Sequence, residues 1–462
     1  MLGSLAQLGI CMTPTAIHSL RRILGLGFGL AMVFGTMVGV GILRLPGTVA
    51  AALGDRSLII VFWVVGGIYA LLGAAAVSEL AAMMPEAGGF RVYARRAFGE
   101  GCGFAIGWCD WLSNAGILAY VSMTAVTFLG VLWPAAAMHS RAVAIALVVL
   151  FTTLHWAGVR IASTFTRLIS VAIGLMLMIL VIACFLGTPV VADGGRPFSV
   201  VGPQPLLSIG MLIPIVTALR AILLSYGGWY SPIYMAEENT NPAQTLPRAI
   251  IGGALLVSLL YVTINLALLH VLPLSVLSAS TLPAADAARI VLPRGGAELV
   301  TVLSLFTVLS LLNNVMLMGP RVLFAIGRDG FFTAKAALVS DSGTPRVALL
   351  VTSAAAAAFI LSGTFEQTIA LCAVLFLVYY VAAFLAVFVL RAREPDRERP
   401  YRAFGHPVST GIVLAGSVAM LVAAVIEDRR SGLIAALVMV ACIPVYAWLA
   451  RERRRRGAAF AV

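Results

Sequence analysis

Apolar runs of membrane-crossing length follow one another along almost the whole chain. A bilayer span needs about 20 mostly apolar residues, and about twelve segments approach or meet that rule. They cover 24–45, 58–84, 99–133, 143–158, 164–187, 211–235, 249–271, 299–327, 347–361, 368–390, 411–426 and 433–449. Polar residues collect in the short stretches between them. The pattern predicts an all-α polytopic membrane protein: one transmembrane domain over 1–462, with twelve helices.

Two of these runs are interrupted. The first contains Gly35-Thr36-Met37-Val38-Gly39-Val40-Gly41, and the sixth contains Ser225-Tyr226-Gly227-Gly228-Trp229 followed by Pro232. Such clusters weaken a helix locally. The interrupted runs lie five spans apart, at matching places of two five-helix halves, 24–187 and 211–392, with two further helices over 409–450. Paired interruptions of this kind point to an inverted-repeat transporter. Backbone freed inside a membrane must line a cavity, since each unsatisfied polar group costs several kcal/mol in hydrocarbon. A half-helix N-terminus offers N–H groups to a carboxylate. A half-helix C-terminus offers carbonyls to an ammonium. Two broken helices side by side therefore suit an α-amino acid. The alternative for Gly35 and Gly39 is close helix packing through a GxxxG pair. The second, matching interruption favours the binding reading.

Composition narrows the class. Hydrophobic residues make up 61% of the chain and charged residues 11%, against about 25% charged in soluble domains. Mean hydropathy is +1.03. A soluble fold, a disulfide scaffold and a disordered chain are excluded. The net charge of +12 sits in short clusters between spans, which membrane topology explains without a nucleic-acid partner. With the N-terminus inside, roughly 22 Arg and Lys fall inside and 8 outside, Arg196 among the latter, so both termini are expected in the cytoplasm. All basic residues but Lys335 are Arg, a bias suggesting a GC-rich bacterium and its inner (plasma) membrane. Cys11, Cys102, Cys109, Cys184, Cys372 and Cys442 show no metal-like spacing and read as free thiols. His155 and His270 are isolated. No metal and no cofactor is expected, and Gly25, Gly27 and Gly29 do not complete a dinucleotide motif. No cleavable leader is expected, and Met12 is a second candidate start.

Specific segments carry a family likeness. GTMVGVGIL in the first run, PEAGGFRVYARRAFGEGCGFAIGW at 85–108, EENTNPAQTLPRAI at 237–250, GPRVLFAIGRDGFF at 319–332 and RPYRAFGHP at 399–407 resemble, in order, the motifs of the amino acid–polyamine–organocation (APC) superfamily. The SYGGW segment and the Glu-Glu spacing are similar to the L-type amino acid transporter branch and its bacterial relatives. The resemblance implies a LeuT-type 5+5 inverted repeat. It implies substrate carboxylate on the N–H groups of Val38, Gly39, Val40 and Gly41, and ammonium on the carbonyls of Met37, Leu224, Ser225 and Gly227. Thr36, Tyr226 and, by a weaker transfer, Asn114 join the expected lining. Three departures stand out. Val40 replaces a hydroxyl residue, Leu224 replaces an often aromatic gate, and Ile173 stands where many relatives carry a Lys. No span contains Lys, which favours exchange or facilitated flux over proton symport.

Charges inside or beside spans are functional candidates. Arg44 and Arg220 lie about one turn outside the two interruptions and are expected to face an outer vestibule; the alternative is snorkelling or a structural pair. Asp110 is a candidate for pairing with one of them or for taking a proton. Glu79, Glu237 and Glu238 are expected at an inner gate with Arg partners from nearby loops. Asn313 and Asn314 read as interhelical glue. Trp229, Tyr379 and Tyr380 read mainly as packing, with a gating role as the alternative. The expected function is secondary amino acid transport by alternating access, without covalent chemistry. The rivals are an amine or polyamine permease and a transporter-like sensor; a membrane enzyme finds no supporting motif. The expected partners are an amino acid substrate and the lipid bilayer, with a homodimer compatible. The loop around His139 to Arg141 has no Cys, so no disulfide-linked partner subunit is expected.

Overall fold

The computed structural model describes residues 20–188, 209–363 and 365–459, with the side chains of 209–212 and 454–459 excepted. Arg196, Cys11 and Met12 lie outside the described residues, as do the side chains of Arg454, Arg455 and Arg456. In chain order the α-helices are α1 (Leu26–Met37), α2 (Val40–Leu53), α3 (Arg56–Met83), α4 (Phe90–Phe98), α5 (Glu100–Leu132), α6 (Pro134–Met138), α7 (Ser140–Ala157), α8 (Val159–Leu186) and α9 (Ile209–Ser225). There follow α10 (Pro242–Val271), α11 (Leu274–Ala279), α12 (Pro283–Val291), α13 (Gly296–Arg328), α14 (Arg346–Ser362), α15 (Phe365–Arg393), α16 (Val408–Glu427) and α17 (Arg429–Ala459). Short 3-10 turns occupy Ser231–Glu238 and Ala334–Ala337.

Among the described residues nine helices are long and apolar enough to cross a membrane, and α1 with α2, bent by 45°, makes a tenth. Ile213–Ser225 and Arg346–Ser362 are shorter apolar helices; the expected count of twelve requires both of these to cross as well. Exposed Leu168, Val171, Leu175, Met178 and Ile182 run down one side of α8. Such a stripe suits lipid and not water.

The helices sort by burial into a centre and a rim. In α13, 61% of the most apolar stretch is buried, against 11% in α17 and 22% in α16. Around α13 stand α1, α5 and α8, while α10 packs on α1 and α3. Contacts between chain-distant residues define one end of the bundle, called here the terminal face. Ile23 and Leu24 bond the carbonyl of Glu238 at 3.0 Å. Glu238 pairs with Arg321, Glu237 with Arg328, and Asp329 with Arg91 and Arg95. Arg453 lies over Phe331. The start of α1 and the end of α17 therefore share this face.

Candidate functional site

Both interrupted runs are broken in the structure, and the breaks touch. The first break lies between α1 and α2. Val38 leaves helical geometry (ψ 90°) and Gly39 is extended. The second follows Ser225: a turn over 226–230 leads into the 3-10 segment 231–238. Gly228 adopts φ +110°, and a Cβ there would stand 2.9 Å from the backbone of Thr36. A residue with a side chain is excluded by both conformation and space. A Cβ on Gly41 would sit 3.2 Å from Ser225 Oγ, so the start of α2 faces the end of α9.

At the first break the N–H of Val38 bonds the Phe34 carbonyl at 2.8 Å, completing the last turn of α1. Its expected role toward a carboxylate is therefore corrected: its amide is spent and its side chain fully buried. The first free amide is that of Gly39. Val40 and Gly41 open a helix, where N–H groups have no intrahelical acceptor, and no hydrogen bond takes these three amides among the described residues. All three residues keep partial exposure, and a Cβ on Gly39 would meet only the carbonyl of Met37, at 4.0 Å. Val40 packs against a cluster from α5, α7, α13 and α14. Its partly buried Tyr120 and Met123 also line a cavity of about 210 Å³ with Arg141, Phe359 and Phe365.

The carbonyl side is organised by a residue the sequence reading did not single out. Tyr261 of α10 is fully buried. Its hydroxyl donates to the Met37 carbonyl at 2.6 Å and reaches the Ser225 carbonyl at 3.2 Å. Its ring packs on Trp63 and Tyr226, with centroids 5.7 and 5.0 Å away. One phenol thus ties the last carbonyl of α1 to that of α9. Each carbonyl has a second lone pair. The Leu224 carbonyl accepts the Gly227 N–H at 3.2 Å. The Leu224 side chain is 63% exposed.

Other expected lining residues turn inward. Thr36 Oγ1 donates to the Met32 carbonyl (2.7 Å) and accepts from Asn314 Nδ2 (3.1 Å). From there a polar chain runs through Thr166 to Asn313 and His155. Asn313 and Asn314 thus bond across α1, α8 and α13 as interhelical glue, and His155 joins that chain with no metal-holding group of three ligating side chains around it among the described residues. Asn114 donates its amide to Asp110 at 2.8 Å and is 1% exposed. It belongs to that pair and not to the breaks. Tyr226 donates to the Trp63 carbonyl (2.9 Å) and Trp229 packs on Tyr380 (5.4 Å).

The charged candidates divide by face. At the terminal face Glu238, fully buried, holds Arg321 at 2.5 and 3.0 Å. Glu237 holds Arg328 at 2.8 Å and accepts the Ala87 N–H. Glu79 holds Arg391 at 2.6 Å, with Arg399 at 3.2 Å. Outside the spans, Glu394 is drawn below its usual carboxylate pKa by its bond to Arg96. These pairs close the terminal face. At the other end, Arg44 donates to the Thr281 carbonyl at 3.4 Å. Arg220 pairs with Glu427 at the end of α16, both half exposed. Neither is joined to Asp110, and Arg220 is held by a surface pair instead of standing alone in a vestibule.

Known proteins match this sequence along its length. The profile of the amino acid permease family matches residues 29–447. The serine/threonine exchanger SteT of Bacillus subtilis (strain 168) is 27% identical over 438 residues, covering 94% of this chain and 98% of that protein. The b(0,+)-type amino acid transporter 1 of Mus musculus is 26% identical over 400 residues, 84% of this chain and 80% of the transporter. An uncharacterized transporter of Mycobacterium tuberculosis (strain ATCC 25618 / H37Rv) is 28% identical over 390 residues, 83% of each chain. The match spans both breaks and the ion pairs around them, and the chain belongs to the amino acid permease family.

Proposed function

We propose that this chain is a secondary amino acid transporter working by exchange, with the substrate held between the two breaks. The observation that carries it is the opposition of the free amides of Gly39, Val40 and Gly41 to the carbonyls of Met37 and Ser225. Amides at a helix start suit a carboxylate, and carbonyls with spare lone pairs suit an ammonium. The polar side chains bonded at or just before the breaks, Thr36, Asn314 and Tyr261, are neutral. The substrate's two charges are then met by backbone, and its own side chain is neutral. SteT, a serine/threonine exchanger by name, supports small hydroxylated substrates. Ile173 is fully buried and no span contains Lys, which supports exchange without a lysine-borne proton.

The two breaks fit two inverted five-helix halves, 24–187 and 211–392, moving against each other, with 409–450 as an addition. The Arg distribution supports cytoplasmic termini in a bacterial plasma membrane. The terminal face is then the inner face, and the conformer described is closed there. No covalent step is involved. An amine permease would want an acid at the breaks, but Asp110 is engaged with Tyr234 and Asn114. The test is uptake of labelled serine and other amino acids into proteoliposomes with and without unlabelled amino acid inside. Uptake only with internal substrate supports exchange. Binding without uptake would identify a sensor.

A further inference from the structure

Three carboxyls are buried among the described residues: Glu79, Glu238 and Asp110. Two of them face arginines. Asp110, in α5, is fully enclosed and has no cation bonded to it. Both of its side-chain donors act on one oxygen. Tyr234 Oη donates to Oδ1 at 2.7 Å and Asn114 Nδ2 donates to Oδ1 at 2.8 Å. Oδ2 is buried without a hydrogen-bond partner. An enclosed carboxylate lacking a counter-ion carries a penalty of several kcal/mol, and such groups neutralise instead. A neutral acid also fits the asymmetry. Its carbonyl oxygen takes both donors, and its hydroxyl oxygen takes none.

A cation that passes nearby is already paired. Arg91 of α4 passes Gly107, one turn before Asp110, so closely that a Cβ there would lie 2.7 Å from its Cδ. Its guanidinium goes on to Asp329. The other titratable groups facing Asp110 are the phenols of Tyr230 and Tyr234, Tyr379 of α15 and the thiol of Cys109. The amide of Phe90, opening α4, faces it as well.

Tyr234 lies on the 3-10 segment 231–238, which also carries Glu237 and Glu238. Gly89, at φ +62°, lies against the Tyr234 ring and leaves no room for a side chain between them. One displacement of this segment would part Glu238 from Arg321 and withdraw the Tyr234 hydroxyl from Asp110. We propose that Asp110 is a proton-binding site linked to the terminal-face gate. It is protonated while Tyr234 seals it, and it releases the proton to water when segment 231–238 moves away. Resealing recaptures a proton from water, so each cycle balances. This rests on the transport reading above, in which that segment moves. By linkage, if opening releases a proton, higher pH at that face favours the open state by the same factor.

The test has two readouts. Infrared difference spectra of the purified protein in lipid should show the carbonyl stretch of a protonated, desolvated carboxyl, absent in Asp110→Asn. Exchange of labelled serine in proteoliposomes should accelerate by about threefold or more as internal pH rises from about 6 to about 8, against a limit of tenfold per pH unit for one linked proton. Asp110→Asn, a neutral isostere, should exchange with a flat profile. Tyr234→Phe removes one donor from the carbonyl oxygen and should move the infrared band. That result decides the matter if Asp110→Asn does not fold. A band unchanged in both variants, or a pH profile shared by wild type and Asp110→Asn, overturns the proposal. Failure of the wild type to exchange any amino acid would sink the transport reading, while the infrared arm still tests the proton site.

Discussion

Replacing Tyr261 with Phe removes a single oxygen and keeps the ring that packs on Trp63 and Tyr226. The variant loses a 2.6 Å donation to the Met37 carbonyl and the weaker 3.2 Å contact to the Ser225 carbonyl. A neutral hydrogen bond contributes about 1 kcal/mol net, and a buried acceptor left unmade costs about 1–3 kcal/mol. The 2.6 Å bond dominates, so the loss should be about 1–2 kcal/mol, or roughly 5–30-fold in an equilibrium constant. The lost oxygen joins the ends of α1 and α9, between which the substrate is proposed to sit, so the effect should appear in KM for exchange more than in the maximal rate. Exchange kinetics in proteoliposomes measure this, with a melting curve to separate loss of the site from loss of the fold. Tyr226→Phe is the control. It breaks a bond of similar length, from the second break to the Trp63 carbonyl, and touches neither the Met37 nor the Ser225 carbonyl. An unchanged KM in Tyr261→Phe, or an equal rise in Tyr226→Phe, would falsify the claim that this phenol organises the carbonyl side.

Gly228→Ala should abolish uptake, because the Cβ would meet the Thr36 backbone at 2.9 Å in a conformation that disfavours side chains; Gly25→Ala, with open space around it, should leave uptake unchanged. Glu238→Gln leaves Arg321 buried without its counter-charge and should lower stability by about 3–5 kcal/mol, read as a large fall in melting temperature. Arg220→Gln breaks a half-exposed pair that contributes at most about 1 kcal/mol. Its uptake should stay within about twofold of wild type, and a larger loss would restore the vestibule role. Val40→Ser should add a hydroxyl beside the free amides and tighten KM by about tenfold or more, since a hydrogen bond to a charged group contributes roughly 1.5 kcal/mol or more.

The breaks were legible because their cause is local. Three glycines within seven residues, and two glycines followed by a proline, weaken a helix wherever they stand. The reach of α1 was not legible to one residue. Whether Val38 closes the last turn depends on a 2.8 Å bond to Phe34, and glycine spacing does not reveal it. Asp110 stood out as a charge inside an apolar run, but its partner Tyr234 lies 124 positions away. The pairing of Glu79 with Arg391 spans 312 positions. Such pairs arise only when the bundle assembles. Tyr261 was invisible for the same reason: one tyrosine in an apolar run carries no local sign of the two carbonyls it will meet.

The position of Ile173 shows how such non-local contacts redistribute a task. Many relatives carry a lysine at this position of α8. The structure has buried hydrocarbon at Ile173, yet α1 is still held. One turn away, Ser170 Oγ donates to the Ala31 carbonyl at 2.9 Å. Across from it, the Asn314 amide reaches the Met32 carbonyl and the Thr36 hydroxyl. A Cβ on Gly35 would press on Ser310, Asn314 and Ser170 together, so the absence of a side chain there is what lets this cluster close on α1. The hold consists of neutral groups, which neither gain nor lose a proton across the ordinary pH range. A brace of this kind keeps the same strength on both sides of a pH gradient. Proton linkage in this chain then has to come from elsewhere, and the enclosed carboxyl of Asp110, joined through Tyr234 to the segment that carries Glu237 and Glu238, is placed to supply it.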